Sequence, residues 1–213
     1  MTGLREQQKA QRRRQIEVAA AELFVEKGFA DATIEEIARR AMVSAPTVYN
    51  YYGTKGDLLL ALVARGEEGI AAHMPDFEAR AAVEEPVDLV TAVIASNVRD
   101  TLSALSRELW GHVVAFVATS PDPEVAPKYL NTIAEGLAAA IESVLRAYQA
   151  SGRVIDAVNA RETAYMLTRL ERIHFLNFVY LKSMTLEALE AAIAADVAVV
   201  MAGITRPAAS GRA

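Results

Sequence analysis

Gly28, the Thr33-Ile34-Glu35-Glu36 box and Ser44 cut the first fifty residues into helical segments too short to stand alone, and this constrains the chain more than any other feature. From Arg12 to Lys27 the apolar residues Ile16, Ala19, Ala20, Leu23 and Phe24 recur at i, i+3, i+4, i+7 and i+8, one face of an amphipathic helix that Gly28 ends. Thr33 and Glu36 have the spacing of a capping box. The short helix they start places Ile34, Ile37, Ala38 and Ala41 on a single side. So short a helix is marginal in water, so it must dock on the first one and on the next segment of chain.

That next segment opens with Ser44, a natural N-cap, and runs from Ala45 to Tyr52, with Pro46 in the first turn, where no N–H partner is lost. Two short helices joined by three or four residues form the helix-turn-helix arrangement, whose second helix enters the DNA major groove. Gly53 breaks the chain. Thr54 and Asp57 repeat the capping spacing, and a fourth helix is expected from about Gly56 to His73, ending at Pro75.

The run Thr33 to Ser44, continued by Thr47-Val48-Tyr49-Asn50-Tyr51-Tyr52-Gly53-Thr54-Lys55-Gly56-Asp57-Leu58, closely resembles the DNA-binding signature of the tetracycline-repressor (TetR) family. The resemblance implies that the Tyr49 hydroxyl meets a phosphate, that Tyr51 or Asn50 reaches bases or backbone, and that Lys55 anchors a phosphate. At the start of the third helix Ala45, Pro46 and Thr47 are placed for base edges, the first two suiting thymine methyls. Ser44 and Thr33 are caps, and Thr33 sits where a helix N-terminus also attracts an anion. The basic tail, with Arg12 and Arg13, reads either as an arm for the minor groove or backbone or as a solvated helix start. Tyr52 is expected in the small core against Leu23, Phe24 and Ile37. One position departs from the family pattern: Met42 stands where the turn often has glycine, and a left-handed backbone there costs a side chain about 1 kcal/mol or more.

Charge divides the same way. Residues 1–56 carry nine Lys and Arg against seven Asp and Glu, whereas the rest of the chain carries thirteen against twenty. A basic head on an acidic body suits local phosphate contact. The expected division is therefore a helix-turn-helix domain over 1–56 and a helical ligand-sensing and dimerisation domain over 57–213, in an all-α fold. Beyond Pro75 helices are expected at about Pro86 to Arg107, Glu108 to Ala118, Pro123 to Ala150, Ala160 to Met184 and Leu186 to Ile204, with Asn159 and Thr185 as caps and Pro127 in the first turn or two of its helix. The last two are apolar on more than one face, which calls for burial on several sides. A two-fold homodimer through a four-helix bundle supplies it.

With two reading heads, the expected partner is a palindromic double-stranded operator; an unidentified small molecule is the expected effector, and the family resemblance favours release of DNA on its binding. The aromatic and polar residues Trp110, His112, Phe116, Tyr129, His174, Asn177 and Phe178 are the candidate pocket residues. The chain has no cysteine, which removes thiol chemistry, and shows neither a signal core nor a long apolar span, so a cytoplasmic protein without membrane attachment is expected. No cofactor or metal is called for. Two other readings stay open: a helical binding protein whose helix-turn-helix no longer meets DNA, and a helical enzyme. The enzyme's best lead is Glu171-Arg172-Ile173-His174, the Glu-x-x-His spacing of di-iron bundles, but three histidines in all leave no second copy of it.

Overall fold

The computed structural model describes residues 2–67 and 69–206. Ten helices follow one another: α1 (Thr2–Asp31), α2 (Ile34–Arg40), α3 (Ala45–Tyr52), α4 (Lys55–Glu67), α5 (Gly69–Arg80), α6 (Pro86–Ala104), α7 (Arg107–Thr119), α8 (Val125–Ala150), α9 (Ala160–Tyr180) and α10 (Leu186–Ile204). They form two compact units. One joins residues 1–66 to 102–129, so that α1 to α4 share it with α7, and the other joins 67–101 to 130–213.

In the first unit the expected face of α1 is the buried one: Ile16, Ala19, Ala20, Leu23 and Phe24 are all at most 3% exposed. Gly28, at φ 80° and ψ 159°, interrupts the helix where a side chain would be strained. Toward the N-terminus, α1 runs back to Thr2. Arg12 and Arg13 therefore stand on a continuous helix, as in the reading of the basic tail as a helix start. On α2 the capping box is complete, with Thr33 Oγ1 accepting from Glu36 N (3.2 Å) and Glu36 Oε2 accepting from Thr33 N (3.2 Å). Ile34, Ile37 and Ala38 are buried, and charge fastens the flanks: Arg40 donates both arms to Glu26 (2.7 and 2.8 Å), and Lys27 pairs with Glu36. These α1 to α2 links give seven residues of helix the tertiary support that they need.

The second unit closes around the buried side chains Val90, Val93 and Ile94 of α6, Leu137, Ile141 and Val144 of α8, and Leu167 and Phe175 of α9. α10 contributes one ridge, Leu189, Ile193, Val197 and Met201, at successive i+4 steps. Its end is tied back by a single antiparallel bridge between Val154 and Thr205, with Arg206 N donating to the Arg153 carbonyl (3.0 Å). Asn159 and Thr185 cap α9 and α10, and Pro127 is the third residue of α8, all as expected.

Three boundaries differ from expectation. The helix containing Pro75 continues to Arg80, because proline costs a helix one N–H bond without stopping it where packing holds the rest: Phe77 is 3% exposed and Arg80 is paired with Glu84. The helix from Pro86 ends at Ala104, since Ser106 caps the next one through Leu109 N (3.3 Å). α9 stops at Tyr180 rather than Met184, with Leu181 as its C-cap.

Between α2 and α3, Met42 takes φ 54° and is 86% exposed. The turn keeps its left-handed geometry and the methionine bears the strain. No packing is lost on removing that side chain, so Met42→Gly is expected to stabilise the protein by about 0.5–1 kcal/mol, the relief of the left-handed penalty less the added freedom of glycine in the unfolded chain. Thermal melts should show the midpoint rising by about 1–4 °C.

Candidate nucleic-acid interface

α3 is anchored by one edge and free along the other. Val48 and Tyr52 are buried, at 0% and 7% exposure, while Pro46, Tyr49 and Asn50 face solvent and Ala45, Thr47 and Tyr51 are part-exposed. Buried residues at i and i+4 set the rotation of the helix, and that rotation alone determines which side chains a partner can meet. At its start Ser44 Oγ accepts from Thr47 N (3.3 Å) and lies 2.8 Å from Thr47 Oγ1. The two hydroxyls therefore hold each other, which steadies the tip that also carries Ala45 and Pro46.

Tyr52 has the core position expected of it and a polar function that sequence patterning missed. Its hydroxyl donates to Glu17 Oε1 (3.0 Å), a carboxylate only 7% exposed on the inner side of α1. Burial, and then the neighbouring Glu17 charge, push the phenol well above its ordinary range, so it stays a donor. Position 17 lies beside Ile16 on the apolar face, and an acid there was the available signal.

The Lys55 ammonium donates to the carbonyls of Phe29 (2.6 Å), Ala30 (3.0 Å) and Ala32 (2.8 Å) and stands 4.7 Å from the Phe29 ring centroid. An ammonium has three protons, and all three are spent on the chain that leaves α1. Desolvation lowers its pKa. The Lys55 ammonium thus forms a clasp that fixes the start of α4 on the end of α1. Thr33 is likewise occupied: the carboxylate that its helix N-terminus attracts is that of Glu36, held low by hydrogen bonds from Lys27 and from the Thr33 backbone.

Beside the clasp, Phe29 packs edge-on against Phe24 (5.2 Å) and lies 5.7 Å from the His112 ring on α7. Gly56 is pressed so closely by Phe116, also on α7, that a Cβ there would lie 2.1 Å from Phe116 Cζ. Its lack of a side chain is what permits this contact. Of the expected pocket residues, Trp110, His112, Phe116 and Tyr129 belong to this unit, and His174, Asn177 and Phe178 to the other. On α9 those three diverge. The His174 imidazole meets Asp196 of α10 (2.8 Å), Asn177 is exposed, and Phe178 is buried 6.4 Å from the Phe175 ring.

Lys55→Met is expected to cost about 1–3 kcal/mol by leaving three carbonyls without their donor. Gly56→Ala should cost a similar amount, about 1–3 kcal/mol, by forcing Phe116 aside. Urea denaturation of both variants checks these values.

Comparison with known proteins matches residues 16–62 to the model of the bacterial regulatory proteins of the tetR family. Over 62 residues the chain is 39% identical to the HTH-type transcriptional activator FasR of Mycolicibacterium smegmatis, covering 29% of this chain and 28% of that protein. Over 49 residues it is 49% identical to the HTH-type transcriptional regulator HbdR of an Aromatoleum species, covering 23% and 21%. The chain thus spans about a quarter of the length of these relatives. The fold extends further. The crystal structure of Thermus thermophilus FadR, a TetR-family transcriptional repressor in complex with lauroyl-CoA, superposes with a TM-score of 0.71 at 22% identity over 94% of this chain and 99% of that one. Residues 16–62 thus match the helix-turn-helix segment of the tetR family of bacterial regulatory proteins, and the chain as a whole shares the all-helical fold of the FadR structure.

Proposed function

We propose that the chain is a cytoplasmic, ligand-responsive transcriptional regulator, a repressor that binds a palindromic operator as a homodimer and leaves it when a small molecule binds. The observation that carries this reading is the exposed edge of α3: Pro46, Tyr49 and Asn50 stand outward, with Ala45 part-exposed beside them, on a helix that Val48 and Tyr52 hold fixed from behind. In this reading residues 1–56 form the reading head. Pro46, Thr47 and Asn50 face base edges, while Tyr49, Tyr51, Arg12 and Arg13 meet the backbone.

Dimerisation is supported by α9. Met166, Ile173 and Tyr180, spaced by seven, are 42%, 59% and 60% exposed, and Val199 of α10 is 76% exposed. A seven-residue apolar stripe on a helix is the seam of a helical bundle. Residues 57–213 would then supply both the dimer contact and the effector site, and α7, which shares a compact unit with α1 to α4, would carry the signal to the head. No helix among the described residues is long and apolar enough to cross a membrane.

The test is selection of bound sequences from a pool of random duplexes, followed by salt titration. A palindrome with half-sites about 34–36 Å apart is the expected product, and failure to enrich any sequence at any salt would overturn the reading. In the titration Lys55→Met should leave the salt slope unchanged, because its charge meets carbonyls and not phosphates; loss of a true phosphate contact lowers the slope by about one. Ile173→Glu should yield a folded monomer in sedimentation that binds a single half-site no more weakly than the wild-type head does and gains nothing from the second half-site.

A further inference from the structure

The Glu-x-x-His segment of α9 leaves an unexplained pair. His174 turns to Asp196, whereas Glu171 points inward, 2% exposed, with Oε2 buried and without a hydrogen-bond partner. Next to it Arg172 donates Nη2 to the Ile133 carbonyl of α8 (2.7 Å) and holds Nε 3.6 Å from Glu171 Oε2, but its Nη1 is buried and unpartnered. Two neighbouring side chains of the second unit thus each keep one buried polar atom, Glu171 Oε2 and Arg172 Nη1, without the hydrogen-bond partner that such an atom ordinarily has. A fold gains nothing from such a pair; an apolar pair of similar volume is as stable or more so.

We propose that Glu171 and Arg172 are the anchor for the head group of the effector, and that this head group is a carboxylate or another anionic oxygen acid on an apolar body. The assignment deepens the regulator reading and rests on it. Arg172 Nη1 supplies a charge-assisted donor to one ligand oxygen. Burial raises the pKa of Glu171 against the opposing pull of Arg172 and His174, so its carboxyl tends to the protonated form and can donate to the second oxygen. With Glu171 neutral, the guanidinium and the ligand's anion cancel, and no net charge is left buried. Ile133 and Phe175, each at most 2% exposed, give the site apolar surroundings.

The test uses the full-length protein and three soluble probes with one alkyl chain: octanoate, octanamide and octan-1-ol. In thermal melts octanoate should raise the wild-type midpoint more than octanamide does, and octan-1-ol least. Glu171→Gln, which keeps a donor, should retain the octanoate shift. The double variant Glu171→Met/Arg172→Met should melt at least about 2 °C above wild type without ligand and respond to octanoate no more than to octan-1-ol. A double variant that melts below wild type would show the pair to be structural and overturn the proposal, as would an octanoate shift in the wild type that is absent or equal to that of octan-1-ol. Operator selection on the same preparation separates the two levels. Without a selected palindrome the regulator reading fails while the melts still decide the anchor; with one, a negative melt series sinks the anchor alone.

Discussion

Helices of seven and eight residues do not persist in water, so everything that α3 can present to a partner depends on how α1 holds α2 and α3 in place. Two kinds of contact do this, and they act differently. Apolar burial under Ile34, Ile37, Val48 and Tyr52 supplies most of the free energy and turns the apolar edge of each helix inward. The directed bonds fix rotation: Arg40 to Glu26 across α1 and α2, Tyr52 to Glu17 from α3 to α1, and the Lys55 ammonium on the carbonyls at the end of α1 and just beyond it. Lys55 acts at the sharpest point, since the end of a helix leaves carbonyls unmet and Gly28 has already turned the chain away from its own ladder.

The local geometry of this unit was legible in the sequence because capping is local chemistry. Thr33 with Glu36, Ser44 with Thr47, and Thr54 with Asp57 are each separated by three residues, and all three pairs bond as that spacing requires. What the sequence did not disclose involves partners far along the chain. Lys55 reads as a free cation until Phe29, Ala30 and Ala32 are seen under it. Gly56 reads as no more than the start of a helix until Phe116, sixty residues later, is found against it. Pro75 shows the same limit in reverse: its local signal was to stop a helix, and burial of Phe77 beyond it overrode that signal. The surroundings of the aromatic and polar residues expected at a pocket were not legible either. Residue type does not tell which face of α9 a side chain takes, and His174, Asn177 and Phe178 take three different surroundings.

The two buried acids separate structural from functional polarity. Glu17 lies 3.0 Å from a phenol whose proton it accepts, and the pair closes on itself. Glu171 is more deeply buried and its Oε2 accepts from nothing, beside an arginine with an idle Nη1. Both look alike in sequence, as an acid within an apolar helix face. The difference is bonding, and a bonding deficit in an interior is retained only where something other than folding stability requires it.

A regulator of this design has to convert an event in one unit into a change at α3, and packing decides what can move. The Gly56 to Phe116 contact is at its closest limit, with no room even for a methyl group. A contact so tight transmits displacement rather than absorbing it, because an interior at crystal density has no slack to take up. Any shift of α7 along its axis must therefore press on the first turn of α4. That turn is clasped by Lys55 to the end of α1, so the displacement passes into the helix on which α2 and α3 rest. Lys55, one of the residues that give the short helices their orientation, is thus also one through which that orientation can be changed.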